Sequence, residues 1–167
     1  GRLNRGFCLD ESGIGFQDKI HPFGQEKEHF VGGGSISSIL TRWGKVGLEV
    51  CYDLRFPEVA RNLALSGADV LVTIAQFPAS RGYHWQTLCR ARAIENQIPH
   101  IACNGAGPEF CGSSAIIDSW GVPLAEAGSC EATILAEISL EDRDRVREEI
   151  TALMDRRPEI YRFHKGR

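Results

Sequence analysis

Cys51 is the residue in this chain best placed for covalent chemistry. It closes an alternating apolar run, "KVGLEVCY", and precedes "PEVARNLALS", whose Pro57 and Glu58 suit a helix start. A thiol on a sharp strand-to-helix turn is exposed, and backbone N–H groups point into the space above it. Those groups can hold the oxyanion of a tetrahedral intermediate, and a helix start favours the thiolate form of a cysteine. The implied chemistry is nucleophilic attack on an electrophilic carbon. The competing reading is a cysteine that packs as a small hydrophobe. Glu49 lies two residues before Cys51, on the same face of the strand. Phe77 follows the "VLVTIA" run, at a strand end where pocket walls form. Arg92 and Glu95 share one helix and read as a buried ion pair or as support behind the site.

The elements that must position these residues follow from periodicity. "FVGGGSISS" reads as a loop and Asp10 to Gly13 as a hairpin turn. "PEVARNLALS" places Val59, Leu63 and Leu65 near one helix face, with Gly67 as the stop. "ADVLVTIA" is a near-continuous apolar strand, the pattern of a strand covered on both faces. Gly82 to Gln97 reads as a second helix, "HIACNGAG" as a strand, and "SSAIIDSWGVPLAE" as a hairpin turning at Asp118 to Gly121. "EATILAEIS" is expected to be another strand. Ser139 is expected to cap a last helix that presents Val146, Ile150, Leu153 and Met154 on one face and ends before Pro158. The order is that of an α/β fold.

Composition narrows the function classes. The chain has 167 residues, 43% apolar and 25% charged, with a net charge of −3, an ordinary globular balance with room for one real core. No basic cluster marks a nucleic-acid surface, and no apolar run is long enough to span a bilayer. The first residues, "GRLNRGFCLD", contain no apolar signal segment. The six cysteines form no CxxC pair and no dense framework. They read as reduced thiols of a cytoplasmic protein, with neither disulfides nor a structural zinc site.

Five ordered segments carry a resemblance: "DKIHPF" (Asp18–Phe23), "CYDLRFPE" (Cys51–Glu58), "ARAIENQ" (Ala91–Gln97), "GSSAIIDSWG" (Gly112–Gly121) and "DRRPEIY" (Asp155–Tyr161). Together they resemble the nitrilase, or carbon–nitrogen hydrolase, superfamily, with a flavour of its omega-amidase-like branch. The resemblance implies a four-layer α-β-β-α sandwich, of which residues 1–167 would be the C-terminal portion of a single domain, without its N-terminal strands and helices. It implies hydrolysis of a small linear amide, with the omega-amide of a dicarboxylate as first guess, through a thioester on Cys51.

The same resemblance assigns the site. Lys19 would stabilise developing negative charge, and a supporting carboxylate would follow it, Glu26 or Glu28, with Glu26 favoured. The backbone N–H of Tyr52 would join the oxyanion pocket, and Phe77 would line the substrate pocket. His21 would order its loop, and Arg55 would tie the elbow down. No metal or cofactor is implied, and the partners are a small-molecule amide and further copies of the chain in a dimer or larger homo-oligomer. The family's principal base glutamate sits upstream of the lysine in an apolar-Pro-Glu setting. Before Lys19 only Asp10, Glu11 and Asp18 occur, none in that setting. The base is therefore expected to lie outside this chain, with Glu26 and Glu49 as internal substitutes. Two other readings stand beside this one. One is a catalytically dead relative serving as a binding or assembly subunit; the other is a cysteine or redox enzyme of another class on a doubly wound fold.

Overall fold

The structure, a computed structural model, describes residues 1–161; residues 162–167 of the expected domain lie outside that description. The chain opens with a hairpin, β1 (Arg5–Asp10) and β2 (Gly13–Asp18), paired antiparallel throughout. Its turn is closed by Asp10, whose carboxylate accepts from the Ser12 N–H at 2.7 Å. The main sheet has six strands in sequential order: β3 (Ile39–Thr41), β4 (Gly44–Val50), β5 (Val70–Ala75), β6 (His100–Asn104), β7 (Ala115–Ile117) and β8 (Pro123–Glu126). β4, β5 and β6 run parallel, linked by α1 (Pro57–Leu65) and α2 (Gly82–Asn96). The outer pairs are antiparallel.

Side-chain alternation along β4 separates two layers. A Cβ on Gly47 would lie 3.0 Å from the Leu63 Cβ of α1, so that side of the sheet touches the helices closely. Leu48 and Val50 point the opposite way and meet Gly6 of the β1–β2 hairpin. A helix layer, the six-stranded sheet and the two-stranded hairpin thus stack in the α-β-β order of the expected sandwich. Two apolar clusters lie under the helices. One gathers Leu54, Phe77, Trp85, Cys89 and Ala102; the other gathers Val59, Leu63, Leu71 and Ile98.

Most expected elements are present with shifts of one or two residues. Gln97 ends α2 in a left-handed conformation, φ 51°, with its N–H returned to the Ala93 carbonyl. Three expectations are corrected. Leu65 is 48% exposed and does not share the buried face of Val59 and Leu63. "EATILAEIS" is not a strand, because its backbone pairs with no strand among the described residues and Leu135 projects into solvent. The last helix, α3 (Leu140–Glu149), is capped as expected, the Asp142 N–H donating to Ser139 Oγ at 3.0 Å, and ends before Pro158, but its apolar face is narrower than expected. Of its expected apolar face only Val146 is buried; Leu153 is half-buried, and Ile150 and Met154 are exposed.

Candidate active site

β4 ends at Val50, and the chain turns at once into a 3₁₀ turn, Cys51–Arg55. Cys51 itself has φ 51°, the left-handed region that L residues avoid. Such strain persists only where its surroundings enforce it. Here the enforcement is visible. Asp53, fully buried, accepts from the Ile20 N–H (3.1 Å), the His21 N–H (2.9 Å) and His21 Nδ1 (2.9 Å). Arg92 of α2 donates from Nε to the Leu54 carbonyl at 3.0 Å. The first contact binds the turn to the segment after β2; the second binds it to the helix layer. His21 completes the junction by stacking on Phe56, ring centroids 3.5 Å apart, and Tyr52 packs between Phe23 (4.7 Å) and Phe56 (5.2 Å).

The segment so fastened carries Lys19. Its backbone is held on both sides, by the Asn4 carbonyl at 2.8 Å and the Gly33 N–H at 2.9 Å. Its side chain is 3% exposed, and Nζ reaches Glu26 Oε2 at 2.5 Å. Glu26 also accepts from the Phe23 N–H (2.7 Å) and Asn4 Nδ2 (3.3 Å). Burial pushes the Glu26 carboxyl up. The Lys19 and Phe23 hydrogen bonds, the Lys19 charge and the Asn4 amide outweigh it and hold the group below its ordinary value. Glu26 is therefore an anion committed to Lys19, poorly suited to take up a proton near neutral pH. Glu28 is exposed on the same turn.

Cys51, Lys19 and Glu26 meet in one cleft of about 320 Å³, walled also by Asn4, Val50, Ile74, Ala75 and Gln76. It opens at the C-terminal ends of the parallel strands, where α/β sheets place their chemistry. A larger cavity, about 760 Å³, lies past β6 and includes Cys103 and Cys130, but no Lys, Arg or His lines it. The charged nucleophile-and-cation arrangement belongs to the smaller cleft.

Two expected roles move. Phe77 does not line the cleft: its ring is 3% exposed and packs on Trp85 at 5.1 Å, in the core cluster against which Cys51 rests. Arg55 does not tie the elbow. Its guanidinium sits over the Phe77 ring at 5.1 Å and points toward His84 Nδ1 at 3.4 Å, and Asp53 and Arg92 do the tying. Arg92 does pair with Glu95, at 2.7 Å. Two residues were missed. Asp53 was legible as the polar residue two after the thiol. Asn4 carried no local signal, since only the pairing of β1 with β2 brings it to Glu26. Among the described residues no cluster of three or more His, Cys, Asp or Glu side chains is arranged for a metal ion, and no helix is long and apolar enough to cross a membrane.

The sequence profile of the carbon-nitrogen hydrolase family matches residues 3–148. The 2-oxoglutaramate amidase of Bacillus subtilis (strain 168) is 47% identical over 116 residues, which are 67% of this chain and 45% of that protein. The chain thus spans about half the length of that relative. The structure of a carbon-nitrogen hydrolase from Helicobacter pylori G27 superposes with a TM-score of 0.90 and 32% identity, over 95% of this chain and 64% of its own. A variant of the amidase from Nesterenkonia sp. AN1, showing covalent addition of the acetamide moiety of fluoroacetamide at the active site cysteine, matches with a TM-score of 0.65 and 32% identity. That match covers 71% of this chain and 47% of the other.

Proposed function

The chain belongs to the carbon–nitrogen hydrolase family, and from that premise we propose that it hydrolyses a small linear amide through a thioester on Cys51. The observation that carries this reading is the convergence of Cys51 and the buried Lys19–Glu26 pair on one cleft. The Cys51 sulfur bonds to the amide carbon, and the carbonyl becomes an oxyanion beside Lys19 and the Tyr52 N–H. Collapse of that intermediate expels the nitrogen as ammonia, carrying the proton taken from the thiol. Water then attacks the thioester, releasing the carboxylate and restoring the thiol. Lys19 can act as a fixed cation because Glu26 holds it in place; its own proton need not move.

Proton traffic requires a base. Among the described residues Glu26 is the only carboxylate on the cleft wall, and it is committed to Lys19. The base is assigned to a glutamate from a segment outside this cleft wall. The omega-amide of a dicarboxylate is the substrate this reading favours, supported by the 2-oxoglutaramate amidase relative. The six free cysteines suit a reducing compartment such as the cytoplasm, and association of copies remains part of the proposal.

The test is ammonia release from 2-oxoglutaramate and from simple aliphatic amides, in parallel with peptide-resolved alkylation of the cysteines. Selective Cys51 labelling with ammonia release that Cys51→Ala abolishes supports the hydrolase. Labelling without release supports a binding subunit instead.

A further inference from the structure

Behind the elbow, on the helix-facing side of the sheet, three polar side chains form a row across three strands. Glu49 of β4 and Thr73 of β5 are cross-strand partners, and His100 begins β6. All three are 0% exposed. Thr73 Oγ1 lies 2.9 Å from Glu49 Oε2 and 2.8 Å from His100 Nε2, and His100 Nδ1 lies 3.0 Å from the Cys89 carbonyl oxygen of α2. Along β5 the row falls between Leu71 of one apolar cluster and Ala75, which packs on the other.

Counting hydrogens fixes what this row contains. A carbonyl only accepts, so His100 Nδ1 carries a hydrogen. The Thr73 hydroxyl has one hydrogen, so it donates to one neighbour and receives from the other. If it donates to Nε2, Glu49 must be a carboxylic acid donating to Thr73. If it donates to Glu49, His100 must be an imidazolium. Either way the row holds one proton more than a carboxylate and a neutral imidazole would. Burial selects between the two arrangements, since it disfavours both charges. It pushes Glu49 up to about 7, against the Thr73 hydrogen bond and the Arg92 charge, and pushes His100 down to about 4.

The other groups facing Glu49 do not offer a dedicated counter-charge. Arg92 of α2 is already engaged by the Leu54 carbonyl and Glu95, and Asp53 of the elbow and Glu95 repel a carboxylate there. Cys89 of α2, its thiol pushed up by burial, adds no positive charge.

We propose that Glu49, Thr73 and His100 form a one-proton relay that positions the Cys51 elbow, running Glu49 O–H to Thr73, Thr73 O–H to His100 Nε2, and His100 Nδ1–H to the Cys89 carbonyl. Glu49 stands two residues before Cys51. When the proton leaves, an anion remains in the core with one oxygen, Oε1, already lacking any partner. It sits near Asp53, the carboxylate that fastens the Lys19 segment to the turn. The elbow therefore loosens as the relay deprotonates. The relay concerns the same thiol as the proposed hydrolysis but rests on the hydrogen count, so its experiment needs no turnover and can fail or succeed independently.

The experiment uses the whole chain. Nitrogen-15 NMR of the histidine rings at pH 6 should show His100 neutral with its hydrogen on Nδ1; an imidazolium or an Nε2–H tautomer overturns the relay. In Glu49→Gln the amide donates to Thr73 as the acid does. At pH 8 this variant should melt at a higher temperature than the wild type; a lower melting temperature makes Glu49 a paired anion and overturns the proposal. The ratio of variant to wild-type Cys51 alkylation by iodoacetamide, read peptide by peptide, should stay constant up to about pH 6 and depart from that value above about pH 7. A ratio flat to pH 8.5 removes the positioning role. Thr73→Val, which cuts the relay without adding charge, should lower the melting temperature at pH 6; an unchanged value also overturns it.

Discussion

Glu26 and Glu49 are both close to the Cys51 elbow, yet they are held in opposite protonation states. Glu26 opens onto the cleft, beside a buried ammonium and two further donors, and is kept anionic. Glu49 lies behind the elbow with no dedicated cation, and burial raises it to about 7. Neither side chain is a general base by virtue of its type. One is locked as a carboxylate by its partners, and the other is a neutral acid through most of the acid range. Environment assigns the role.

The largest effect comes from removing what stands between the two carboxylates. Cys51→Ala should lower turnover by about 10⁶-fold, the scale for loss of a nucleophile. It should leave the melting curve nearly unchanged, because alanine bears the same left-handed strain; retained ammonia release ends the comparison. Lys19→Ala breaks the front half. We expect a loss of about 10²–10³-fold in kcat, and a Glu26 carboxyl that titrates higher once its cation is gone, measurable by carbon-13 NMR. Asp53→Ala should cost about 3 kcal/mol by denaturant unfolding, since three donors lose a buried charged acceptor. Asp53→Asn should recover part of that.

Stability against pH sharpens the contrast through its sign. The Glu26 carboxyl is depressed in the folded state, so its contribution is present above the unfolded value and is lost as pH falls through the folded one. Glu26→Gln should therefore flatten the acid limb. The Glu49 carboxyl is raised from 4.5 to about 7, so the wild type should lose stability relative to Glu49→Gln as pH climbs through that window. His100, lowered from 6.5 to about 4, gains stability as pH rises across its own window, but Glu49→Gln keeps that histidine, so the difference between the two proteins still reads Glu49. The smallest effect is expected at Arg55. Half-buried, with its guanidinium over the Phe77 ring and toward His84, it should cost under about 1 kcal/mol when truncated to alanine.

What the sequence disclosed, and what it withheld, follows the range of the forces involved. The turn at Cys51, the Pro57 start, the Asp118–Gly121 hairpin and the Ser139 cap are local, and each was readable from a few neighbouring residues. Lys19 and Glu26 required the family resemblance, because nothing near them says that a hairpin and a buried Asp53 will fold them over the elbow. Arg55 and Arg92 are both cations near the turn, and only the packing of α2 shows that Arg92 reaches the Leu54 carbonyl. Phe77 stands at a strand end, as expected of a pocket wall, but Trp85 draws its ring into the core. "EATILAEIS" has strand composition and no strand to pair with.

The left-handed backbone at Cys51 has a consequence for how this chain drifts over generations. A cysteine there is worse for folding than glycine, by roughly 1 kcal/mol or more. Only use can keep it. A lineage released from turnover could relieve that strain by exchanging Cys51 for glycine or asparagine, giving up only the thiol's contact with the core cluster beneath it. Position 51 thus works as a standing record of whether a given copy is still earning its nucleophile.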